Sequence, residues 1–177
     1  MDSNAPAVES DLYDRDELAW SIAQAHALRE RRPDALDWDN LAEEIEDLGR
    51  SLVRELRSRL SILVAHVIKL HVQPERYSTS WRSTIVEQQR QIRRLLRDAP
   101  SLRSRLPELH VEALDDGYEI AAAEMNMTEA TARAAVAAGL SSALGSLDEA
   151  LRFQAPLVPD AEDRAAFARR YRSPHEA

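Results

Sequence analysis

Two groups of side chains in this 177-residue chain have the types and spacing to do chemistry. The first is His66, Lys69 and His71, which lie in the most apolar run, residues 60–72. Lys69 is the one lysine in a chain with 22 arginines. A lysine kept at an apolar position points to a need for a compact ammonium or a tunable amine. Once buried it must be paired or deprotonated, and His66 is its i, i+3 neighbour on a helix. The second group is Asp37, Asp39, Glu43, Glu44, Glu46 and Asp47, six carboxylates with no base between them. Glu43 and Glu46 stand at i, i+3, as do Glu112 and Asp115 further on. Oxygen ligands at that spacing suit Mg²⁺ or Mn²⁺. The bland alternative is that the acidic cluster only complements the positive end of a helix dipole.

The ExxE followed by ExxD is similar to the motif pair of the all-α nucleotide pyrophosphohydrolases. That resemblance implies a divalent-metal phosphohydrolase using Glu43, Glu46, Glu112 and Asp115. Such a site requires the four carboxylates to converge within about 5 Å of one point. A third candidate is the arginine set Arg82, Arg90, Arg93, Arg94 and Arg97, which could form a face for phosphate or nucleic acid. Other chemistries are excluded. The chain has no cysteine, hence no disulfide scaffold, thiolate metal site or thiol nucleophile. Its four glycines form no phosphate-binding loop. No Glu-x-x-His, HExxH or G-x-S-x-G motif occurs.

These groups sit on elements with helical spacing and no strand signal. A first helix is expected over 14–31, with Leu18, Ile22, Ala25 and Leu28 on one face. The main helix spans about 37–72, capped by Asp37. Its apolar positions run from Leu41 to Leu70 with a mean step of about 3.6 residues. Pro74 ends it. A third helix starts at Ser78–Ser80 and reaches Arg97. Pro107 falls in the first turn of a fourth helix or kinks it. An Ala-rich helix follows Thr128, Ser146–Glu149 reads as a capping box, and Asp160 caps a last helix carrying Phe167 and Tyr171. The expected architecture is an all-α bundle of four to five main helices around the long central one. Residues 1–11 are expected to be disordered, 12–155 to form the bundle, and 156–177 to be a tail. Segments 1–75 and 106–177 are each net −7, and 76–105 is net +6. Neither a secretory signal nor a membrane span is expected, and with them absent a cytoplasmic location is expected.

The pieces Leu41–Arg50, Glu55–Leu60, His66 with Lys69, Gln73–Arg76, Ser80–Ile85 and Pro100–Arg103 together resemble the DUF29 family over about residues 12–126. After Met127 the chain departs from that pattern. The resemblance implies a helical, bacterial, cytoplasmic protein and brings no reaction with it. With the long helix and the next one antiparallel across the Pro74 turn, His66, Lys69, Gln73, Trp81 and Arg82 come together as a candidate pocket. Arg94 and Arg97 would then approach Glu43–Asp47. The reading that follows is a non-catalytic binding module with an anion or acidic-partner pocket at Lys69/Arg82. The metal phosphohydrolase and a weak nucleic-acid binder are the alternatives. No cofactor is expected, Mg²⁺ or Mn²⁺ entering only with the phosphohydrolase. A protein partner or self-association is expected, rather than nucleic acid or membrane.

Overall fold

A computed structural model describes residues 10–136 and 147–171. The chain is all-α, with eight helices and no strand among the described residues. None of these helices is long and apolar enough to cross a membrane. The chain divides into two units, Met1–Ser51 and Leu52–Ala177.

The first unit holds α1 (Ser10–Arg15), α2 (Glu17–Arg29), a 3₁₀ turn at Pro33–Ala35 and the opening turns of α3 (Trp38–Val72). Asp16 caps α2, its carboxylate accepting from Ala19 N at 2.9 Å. Arg31 adopts a left-handed conformation (φ 56°), and Arg32 N donates back to Ala27 O, a common way to close a helix. The face α2 buries is Trp20, Gln24 and Ala27. Leu18, Ile22 and Leu28, the apolar set read from the sequence, are exposed. The choice of face follows from Asp37. The Trp20 indole donates to its carboxylate at 3.2 Å, and the Gln24 side-chain oxygen accepts from its backbone N–H at 2.9 Å. Asp37 also caps α3 by accepting from Asn40 N. Of the segment 1–11 expected to be disordered, Ser10 and Asp11 lie in α1 and the rest falls outside the described residues.

The second unit is a helical bundle around the C-terminal half of α3, with α4 (Thr79–Asp98), α5 (Leu106–Met125), α6 (Glu129–Val136), α7 (Leu147–Arg152) and α8 (Arg164–Tyr171). Its core includes Leu56, Leu60, Leu63, Ile68, Ile85 and Ile92, all fully buried. Ser78 caps α4, accepting from Trp81 N at 3.4 Å. Pro107 stands in the first turn of α5, where its missing N–H costs nothing. Arg59 on α3 reaches Gln88 on α4, and Lys69 lies over the Trp81 ring, so α3 and α4 run antiparallel. Gly117 lets α5 approach α3: a Cβ there would lie 2.5 Å from Val64 Cγ1. The C-terminal segment packs on the start of α4. Tyr77 is buried and stacks on Phe167 with centroids 5.4 Å apart, and its hydroxyl donates to Pro156 O at 3.0 Å. Arg164 donates to the carbonyls of Glu75 and Tyr77. Asp160 accepts from Asp163 N just ahead of α8. The Ser146 end of the expected capping box lies outside the described residues.

Candidate functional site

Two of the five predicted pocket residues, Lys69 and Trp81, meet where the end of α3 faces the start of α4. Lys69 is 4 % exposed. Its ammonium lies 4.3 Å from the centre of the Trp81 ring, close enough for a cation–π attraction. It also donates to Glu124 on α5. Glu124 is the functional residue that sequence reasoning missed. The signal was only general: a buried lysine needs an anion, but pattern alone does not say which helix supplies it.

His66 lies one turn before Lys69. Its Nδ1 is 3.0 Å from Ile62 O, so in the neutral ring Nδ1 carries the proton and Nε2 is an acceptor. Burial lowers its pKa, aided by the Lys69 charge and opposed by the Ile62 hydrogen bond and Glu124. His71 is built the same way, with Nδ1 2.8 Å from Val67 O and a pKa lowered by burial. Its ring lies beside Phe153 and Tyr171. Arg82 brings a buried Nε with no hydrogen-bond partner among the described residues. Gln73 is not gathered into the cluster by its side chain, which accepts from Arg76 at 3.1 Å.

Among the described residues, no group of three or more His, Asp or Glu could hold a metal ion. Glu46 pairs with Arg50 at 3.0 Å, Glu112 with Arg57 at 3.1 Å, and Asp115 with Arg133 at 2.8 Å. The carboxylates of α5 serve helix packing. Arg57 also makes two 2.9 Å hydrogen bonds to Asp116, which accepts from Ser61 as well. These contacts, the guanidinium foremost, hold the Asp116 carboxyl below the usual range.

The basic island answers its charge locally. Arg90 forms a two-pronged pair with Glu87, and Arg94 and Arg97 both reach Asp98. Arg93 donates to Leu151 O. Asp98 sits four residues from Arg94 and one from Arg97 on the same helix. In the acidic cluster, Asp47 and Glu46 share Arg50, and Glu44 accepts from Tyr13 of α1.

A different feature stands out in the first unit. Leu18, Ile22, Leu28, Trp38, Ile45 and Leu48 are each half or more exposed. They fall within 31 residues of sequence. Isolated exposed apolar side chains are ordinary, whereas a contiguous apolar patch marks a recognition surface.

Residues 12–146 match the model of a domain of unknown function, DUF29. The match extends past Met127, where the sequence pattern alone had ended it. No curated protein and no solved structure matches the chain.

Proposed function

The chain belongs to the DUF29 family, and on that premise we propose that it is a non-catalytic protein-interaction module that recognises its partner through the N-terminal unit. The observation that carries this reading is the exposure of Leu18, Ile22, Leu28, Trp38, Ile45 and Leu48. Burying one such side chain stabilises a complex by about 1.5–3 kcal/mol before association costs. A photo-crosslinking amino acid at Ile45 tests it in cells. A discrete adduct is expected there and none from the same group at Val111, an exposed apolar position on α5. Silence at Ile45 would sink the reading.

A second reading keeps the α3/α4 cluster as a site for an acidic partner. The buried, unpartnered Arg82 Nε favours it. An incoming carboxylate would take the place of Glu124, whose side chain is half exposed. Glutarate titrated against the chain should then bind, and Lys69→Met should abolish binding with the fold intact. Unchanged binding in Lys69→Met would remove this reading.

A further inference from the structure

Resting on the interaction-module reading, we infer that the opening three turns of α3 take a basic amphipathic helix of another protein as their partner. Trp38, Leu41, Ile45 and Leu48 follow one another at steps of three, four and three residues. That is the seam spacing by which one helix packs along another. Trp38, Ile45 and Leu48 are 61 %, 69 % and 67 % exposed and Leu41 is half-buried, so three of the four seam positions stand uncovered among the described residues.

One edge of the seam is lined by small residues, Ala42 and Gly49, seven positions apart. Gly49 sits inside a helix with nothing within 4 Å of where a Cβ would stand. Glycine there costs about 0.5–1 kcal/mol relative to alanine, and no contact among the described residues requires it. A backbone arriving close alongside does.

Charge decides what arrives. Residues 37–50 carry six carboxylates and one arginine. Asp39 and Glu43 make no ion pair among the described residues, while Arg50 is shared by Glu46 and Asp47. A second copy seated seam to seam would set this acidic array against its twin, and an anionic lipid surface would be repelled likewise. The basic helix α4 of a second copy offers only Val86 as a large exposed apolar side chain, too little to fill the seam. A helix with apolar seam residues and flanking lysines or arginines meets both the shape and the charge.

The test uses two three-heptad peptides with leucine at the seam positions, one with lysine and one with glutamate at the flanks. Binding to the full chain is read by calorimetry, and self-association by sedimentation. The lysine peptide should bind, roughly tenfold or more tighter than the glutamate peptide, and weaken with salt. The double variant Ile45→Ser/Leu48→Ser leaves the charge unchanged and should lose about tenfold in affinity. Gly49→Leu should raise the melting temperature of the free chain yet weaken binding by a similar factor. Equal binding of the lysine peptide to the serine variant would show mere charge attraction and overturn the proposal. A dimer that the serine variant dissolves would make a second copy the occupant, overturning this proposal but keeping the interaction reading. A monomer that binds neither peptide, with a silent crosslinker at Ile45, would remove both.

Discussion

At Lys69 a single positive charge has been taken out of water and answered on two sides, by the Trp81 face and by the Glu124 carboxylate. The two ends of that pair are not equivalent. Glu124 is half exposed and can be solvated alone, whereas Lys69 is buried and cannot. Removing the anion should therefore cost more than removing the cation. Glu124→Gln is expected to destabilise the chain by about 1–3 kcal/mol. Lys69→Met should fall within about 1 kcal/mol of the parent, because an unpaired half-exposed carboxylate is tolerated and a methionine packs on Trp81. Urea unfolding of the two variants separates these values, and a larger loss in Lys69→Met would contradict the account. Gln89 makes the neutral counterpart. Its buried amide donates to the carbonyls of Ala150 at 2.9 Å and Phe153 at 2.8 Å. Gln89→Leu strips both of their donor and should cost about 2 kcal/mol in the same assay.

The helices show how much a repeating pattern can carry. The 3.6-residue apolar period located α3 and α4, and the caps Asp37 and Ser78 sit where side-chain chemistry demands them. The buried face of α2 was not legible, because it is chosen by hydrogen bonds that join Trp20 and Gln24 with a residue 17 and 13 positions away, the first donating and the second accepting. Periodicity reports apolar side chains and is blind to a polar anchor of that kind. Of the candidate pocket, the meeting of Lys69 with Trp81 followed from antiparallel helices, while Glu124 depended on the placement of a third. Two glycines make the same point about context. Both lie inside helices and read alike in sequence. At Gly117 an added Cβ would lie 2.5 Å and 2.9 Å from Val64 side-chain atoms and 3.3 Å from Ala65 N. Gly117→Ala should therefore destabilise by about 1–3 kcal/mol through overpacking. Gly49 has open space, so Gly49→Ala should stabilise by about 0.5–1 kcal/mol from helix propensity alone. Thermal unfolding of both variants reads the two signs, and a destabilised Gly49→Ala would show a crowding at α3 that the geometry does not contain.

Across the molecule, charge is segregated along the sequence but much of it is settled within short reach, since Arg90, Arg94 and Arg97 of α4 and Glu46, Asp47 and Glu55 of α3 pair on their own helices. Exposed pairs of this kind contribute little each. The pH response of the fold should therefore be set by groups that are buried. His66 and His71 have folded pKa values lowered from 6.5, in both cases chiefly through burial. A group held neutral in the folded state binds more protons once unfolded, so acid favours unfolding. Their contribution is fully present above the unfolded value of 6.5 and is lost progressively as pH falls below it, toward the lowered folded values. The carboxylates act lower. Glu87 is drawn down to about 2 by hydrogen bonds from Arg90 and Gln91, and Asp116 is lowered mainly by Arg57. Their stabilisation is present above the ordinary carboxylate values near 4 and is lost as pH falls below them toward the lowered folded values. Between about pH 6.5 and 5 the histidines thus act alone among these four groups. The urea midpoint is expected to fall over that interval, and the double variant His66→Gln/His71→Gln should fall less steeply. A parent midpoint that stays level from pH 7 to 5, or a double variant with the parent's slope, would mean that neither ring is held neutral by the packing around α3.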